Sequence, residues 1–264
     1  MPVPLPAAVG VDTKPYWLIE KFSVQPLLDA GLSQPMLQEY FNNPQTFVIV
    51  KSGNAAKDPL LPSATYVMDF HDYRQMLDSL ESNSVPDYVR FLLYDDERWA
   101  STPVSQQQQP FTYEAQALTL AHSHGLGLIF TPAANLAPIL SPNYSNATKY
   151  DGYSGLGIAS QGAAHADVLE IQGQQDEGSA GFDSFVTAAA QQAQAANPHA
   201  LVMAGLTTTA PNQVVTPQLL LADFDATRSD VSGYWLNVPG GESGPEDPQV
   251  AVTFLQQLAP RLGY

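Results

Sequence analysis

Apolar residues recur along the chain in eight short runs, each closed by a polar or turn residue. They are Tyr16–Glu20, Thr46–Val50, Thr65–Met68, Val89–Tyr94, Leu126–Thr131, Asp167–Ile171, Leu201–Leu206 and Gly233–Val238. Most of the stretches between them carry helical periodicity. Eight strands alternating with helices predict an α/β fold, a single (β/α)8 barrel.

The connecting segments refine this picture. A helix is expected over about Gln25–Phe41. The second unit is short, because Asn54–Ser63 contains Pro59 and Pro62 and holds a turn of helix at most. Tyr73–Leu80 is amphipathic. A polar loop, Ala100–Pro110, leads to a helix at about Thr112–His124, stopped by Gly125. The stretch Pro132–Ala163, rich in Asn, Tyr, Ser and Gly, reads as a long loop after strand five, a lid or substrate wall. Gln172–Gly181 is a loop, and Phe182–Ala196 is a helix ended by Asn197-Pro198. Thr216 caps a helix with Pro217 in its first turn. A Gly/Pro-rich loop precedes the last helix, Pro248–Leu262. Residues 1–15 carry four prolines and predict an extended arm, leaving 16–264 as one barrel domain.

Composition fits this frame and removes several function classes. A chain of 264 residues suits one barrel. A net charge of −16 with no Lys/Arg cluster repels nucleic acid and anionic membrane; the acidity serves solubility, or else a site that favours neutral or cationic ligands. The absence of cysteine excludes disulfides, thiolate catalysis and thiolate metal sites. No apolar window is long enough to span a membrane. The opening Met-Pro-Val-Pro-Leu-Pro-Ala-Ala lacks a basic and then an apolar region, so it does not read as a signal peptide. Few lysines and abundant Gln, Ser, Thr and Asn lead to the expectation of an extracellular protein.

In a (β/α)8 barrel, chemistry gathers at the C-terminal strand ends. Those ends offer Glu20 and Lys21; Asp69 and His71; Tyr94, Asp95, Asp96, Glu97 and Trp99; Glu170 and Gln172; Trp235 and Asn237. Side chains alternate along a strand, so Glu170 and Gln172 share a face, as do Trp235 and Asn237. The outer face packs on helices, which points Glu170 and Gln172 into the barrel. A buried Glu170 needs a partner or a function. Asp95-Asp96-Glu97 is the densest acidic site. Neighbouring carboxyls push each other's pKa values apart, as acid/base chemistry requires. Which of Asp95 and Glu97 faces inward stays open at this point. Trp17, Trp99, Trp235, Tyr94 and the loop residues Tyr144, Tyr150 and Tyr153 suit stacking on sugar rings, although Trp17 and Trp235 also read as core.

Asp95-x-Glu97 at the end of strand four, with Trp235 in strand eight, resembles the chitinase-type glycosidases of family 18. The resemblance is local. Phe91 and Leu93 occupy positions where that family carries further acids, and Glu170-Ile171-Gln172 stands in place of its Tyr-Asp pair. The resemblance implies Glu97 as acid/base and Asp95 as its helper. The general two-carboxylate scheme of glycosidases is met by Glu97 with Glu170 as nucleophile or base. Asp69, Gln172 and Asn237 are then expected to hydrogen-bond sugar hydroxyls, with His71, Tyr94, Trp99 and Trp235 completing the substrate site. No cofactor is expected.

Two other readings stay open. One is a metal-assisted lyase, isomerase or aldolase, in which Asp69, His71, Asp95 and Glu170 form an oxygen-rich cation site, or Lys21 or Lys51 forms a Schiff base. The other is a catalytically silent barrel that binds glycan or protein. His122-Ser123-His124 has the look of a metal pair, but it falls at a helix C-terminus on the stability rim, where histidine complements the helix dipole.

Overall fold

A computed structural model describes residues 14–174, 176–179, 181–210, 213–238 and 247–264. Most of the predicted N-terminal arm and of the Gly/Pro-rich loop before the last helix lies outside these residues. Eight parallel strands follow one another around a closed barrel: β1 (Tyr16–Glu20), β2 (Thr46–Val50), β3 (Thr65–Phe70), β4 (Val89–Tyr94), β5 (Gly127–Phe130), β6 (Val168–Ile171), β7 (Leu201–Thr207) and β8 (Gly233–Asn237). The ring closes where Tyr16 pairs with Gly233 and Leu18 with Trp235. Each strand sits on one of the eight apolar runs.

Alternation along the strands divides the hydrophobic residues into two cores. The barrel interior holds Tyr16, Leu18, Phe47, Ile49, Val67, Phe91, Leu93, Ile129, Val168, Leu201, Met203 and Trp235. The strands' other faces and the helices form a larger outer core. Phe91 fills the space over Gly127 of the adjacent strand, where a Cβ would collide with its ring. Hydrocarbon therefore dominates the lower barrel, and the charged and amide side chains gather at the upper layer.

The connections depart from expectation in three places. The first helical stretch is two helices, Val24–Asp29 and Gln34–Phe41. Gly31, at φ +100°, breaks it, and Ser33 caps the second helix by accepting the Met36 N–H at 3.3 Å. The polar loop after β4 contains the helix Val104–Gln108, and the following helix starts early, at Pro110. The stretch after β5 carries short helices at Ala137–Leu140, Lys149–Gly155 and Ile158–Ala163. Its Tyr153, Ile158, Ala159 and Ala163 are buried in the outer core, which anchors this segment to the outside of the barrel. Phe182–Ala196 and Pro248–Leu262 are helices with the bounds read from sequence. Among the described residues, no helix is long and apolar enough to cross a membrane.

On the lower rim, His122 Nε2 lies 2.9 Å from Asp167 Oδ2, which also accepts the Leu128 N–H at 2.8 Å. This histidine ties a helix end to the barrel floor, far from the strand exits.

Candidate active site

The C-terminal ends of the strands surround a cavity of about 650 Å³. Strand β4 supplies its acidic centre. Leu93 points into the barrel, so Asp95 does too, and Glu97 follows on the same side; both line the cavity. Asp96 turns the other way and is fully buried, with the Tyr94 hydroxyl oxygen 3.4 Å from its Oδ2. The alternation of β4 thus continues past the strand end, and the question of which acid faces inward resolves in favour of both.

Each acid is held. Asp95 Oδ1 accepts from Thr131 Oγ1 at 2.8 Å and from Gln172 Nε2 at 3.0 Å. Gln172 Nε2 also donates to the Thr131 carbonyl at 3.1 Å, so β4, β5 and β6 are tied together at their exits. Asn135 Nδ2 donates to Glu97 Oε2 at 3.2 Å, while Asn135 Oδ1 accepts the Arg98 N–H at 2.9 Å. Burial raises the pKa of Asp95 well above 3.8, and the adjacent Glu97 adds to the effect. Burial also raises Glu97 from 4.5, opposed by hydrogen bonds from Asn135 and Gln172 and by His71 and Lys149. Two carboxyls in one desolvated corner retain a proton where an exposed carboxylate would have lost it.

Glu170 points inward between Val168 and Gln172, as alternation requires, but it lies beneath the cavity floor. It is wholly buried, and neither of its oxygens has a hydrogen-bond partner among the described residues. Gly205 on β7 makes the room: a Cβ there would strike Gln174 Oε1 and come within 2.7 Å of Glu170 Oε1. Burial first, and Glu97 second, push the Glu170 pKa well above 4.5. Gln172 and Gln174 line the cavity above it. The expectation that Glu170 opens directly onto the mouth is corrected accordingly.

Next to these acids, at the exits of β1, β2 and β3, lies a charged corner. Lys51 Nζ lies 3.6 Å from Glu20 Oε1 and 3.9 Å from Asp69 Oδ2. His71 Nε2 lies 3.3 Å from Asp69 Oδ2, and its Nδ1 is 3.2 Å from Ser101 Oγ. Burial, strengthened by Asp69 and opposed by Lys51, pushes Glu20 up to about 7. One ligand atom each from Asp69, His71 and Asp95 lies within 4.8 Å of the others, a set able to hold a cation. Lys51, expected as a Schiff-base candidate, faces two carboxylates.

Aromatic groups border both sides. Trp99 stands edge-on to His71, with ring centroids 4.5 Å apart, and Trp235 and Asn237 line the cavity from β8. Tyr94 does not: it is fully buried on the outer face of β4, where it stacks on Phe130 and donates to Gln106 Oε1 at 2.7 Å. Its assignment to the substrate site is corrected, because the residue before an inward Asp95 must face outward. Trp17 is likewise part of the outer core.

Several cavity residues escaped the sequence reading. Asn135 and Lys149 come from the stretch after β5 and Thr207 from the exit of β7; Tyr150 and Gln174 line the cavity beside them. The length of that stretch and its tyrosines were the available signals; Asn135 and Lys149 by themselves carried none.

No family model matches the sequence, and no curated protein does. Solved structures do resemble it in fold. The N-terminal domain of a candidate aldolase from Bacteroides vulgatus matches with a TM-score of 0.56 and 10% identity, covering 94% of this chain and 81% of the other. A chitinase from Chromobacterium violaceum matches with a TM-score of 0.52 and 13% identity, covering 93% and 99%. The catalytic domain of a family GH18 chitinase from the fern Peteris ryukyuensis matches with a TM-score of 0.50 and 12% identity, covering 82% and 89%. At these identities the likeness establishes the barrel, not its chemistry.

Proposed function

We propose that the barrel mouth is the active site of a glycoside hydrolase-like enzyme, with Glu97 as the proton donor and Asp95 as its partner. The single observation that carries this reading is that Asp95 and Glu97 emerge side by side into one cavity. Donors from two neighbouring segments, Gln172 and Asn135, hold them there. Glu97 delivers its proton to the oxygen of the leaving sugar. Asp95, in its ionised form, takes the proton of the group that attacks the anomeric carbon, either a water or a side group of the sugar itself, as the bond to the protonated leaving oxygen breaks. Glu170, enclosed below, adds a smaller contribution to the raised pKa of Asp95. Trp99 and Trp235 flank a ring, and Asp69, Gln172 and Asn237 meet its hydroxyls.

The test is turnover of aryl glycosides and oligosaccharides by wild type, Glu97→Gln and Asp95→Asn. Loss of a general acid is expected to lower kcat/KM by about 10²- to 10⁴-fold. Glycosides with acidic phenol leaving groups, which need little protonation, should be spared in Glu97→Gln. Wild type inert on every saccharide would end this reading.

The grouping of Asp69, His71 and Asp95 favours a second reading, a metal-assisted lyase or aldolase-type enzyme. Calorimetric titration with Mg²⁺, Mn²⁺ and Zn²⁺ separates the two. Tight binding abolished by Asp69→Ala would transfer the proposal to metal chemistry.

A further inference from the structure

Beside the mouth lies a second hollow of about 330 Å³, between the helix Lys149–Gly155 and the start of the helix Phe182–Ala196. Tyr150 belongs to the walls of both hollows. Along this one helix turn, Lys149 faces the mouth and Asp151 faces the second hollow. The Tyr150 ring is held edge-on to Phe185, with centroids 4.8 Å apart, and Phe185 lines the hollow too.

We propose that this hollow is a second sugar subsite, so that the ligand of the barrel is a saccharide chain and not a single sugar. The inference rests on the glycosidase-like reading and extends it. Three observations support it. The two hollows both border Tyr150, so a saccharide chain that crosses this one residue reaches from the mouth to the second hollow. The second hollow joins aromatic surface to the carboxylates of Asp151 and Asp176 and the hydroxyls of Ser154 and Ser184. Carboxylates accept hydrogen bonds from neighbouring sugar hydroxyls, and rings cover the apolar C–H face of a sugar. Among the described residues that line it none is basic, which disfavours an anionic ligand. Its volume falls at the small end of ligand sites, enough for about one sugar ring beyond those in the mouth.

The experiment is calorimetric titration of the Glu97→Gln protein with cello-, laminari- and chito-oligosaccharides of increasing length, from dimer to hexamer. Affinity should rise with length for one series. Adding Asp151→Ala, or Ser184→Trp to fill the hollow, should weaken the hexamer roughly tenfold, as loss of one charge-assisted hydrogen bond does, and the dimer far less. Unaltered melting temperatures would show that both variants fold. Affinity independent of length, or equal losses for dimer and hexamer, would overturn the subsite while leaving cleavage by wild type intact. Wild type that neither binds nor cleaves any saccharide would overturn the glycosidase-like reading, and the subsite with it.

Discussion

Gln172, at the exit of β6, donates its side-chain amide to Asp95 at the exit of β4, 3.0 Å away. The bond spans the top of the shorter β5 and meets Thr131 on the way. It fixes one oxygen of a buried carboxyl, and with it the relative placement of the two acids in the mouth. Gln172→Ala leaves Asp95 with the Thr131 hydroxyl alone. A hydrogen bond to a charged group contributes about 1.5–3 kcal/mol, so kcat/KM is expected to fall roughly 10- to 100-fold. Steady-state kinetics on the best aryl glycoside checks this, and an unchanged rate would detach Gln172 from the site.

The pH profile follows from the environment of Glu97. Its protonated form is the one that donates, and burial raises its pKa above the ordinary 4.5. Activity is therefore retained past pH 4.5 and lost as pH rises through the raised value. Asn135 stabilises the charged form, so Asn135→Ala should move the falling limb to higher pH. A limb that stays in place, or moves to lower pH, would contradict the role given to this amide.

A different acid governs stability. Asp96 is held up to about 7 in the fold, chiefly by burial, against an ordinary 3.8. Between these two values the folded chain retains a proton that the unfolded chain has released. The contribution is fully present below pH 3.8 and is lost as pH rises to about 7. Asp96→Asn removes this dependence. Its melting temperature, measured relative to wild type, should rise progressively from pH 4 to pH 8 and then level off.

Gly205 provides a steric test of the floor. A methyl group at this position would collide with Gln174 and crowd Glu170. Gly205→Ala should cost about 1–3 kcal/mol of stability, as overpacking does. Because Gln174 lines the mouth, ligand affinity should fall as well. Chemical denaturation and ligand titration measure the two effects, and a variant as stable as wild type would show that the floor readily shifts.

Much of this architecture is visible in local pattern. A strand within a barrel is apolar on both faces, so the runs around Phe47, Leu92 and Met203 stand out in the primary sequence whatever surrounds them. Helices such as Phe182–Ala196 are legible because their boundaries are written in turn residues. The split at Gly31 was less plain, since one glycine inside a helical pattern signals either tolerance or a break. Tyr94 failed for a related reason. Its distance from the strand end was right, but its parity was not, and parity depends on whether alternation continues into the loop.

The sequence by itself determined the order of strands and helices, the rim on which acids collect and the inward direction of Glu170 and Gln172. These follow from the period of the backbone and from the cost of burying polar groups. Only the tertiary structure decided that Glu170 lies under Gln174 beside Gly205. It also decided that Asp69 faces Lys51, and that Asn135 and Tyr150 swing in from a distant connection. Those facts depend on which side chains from separate strands compete for the same few ångströms, and no local pattern along the chain records that competition.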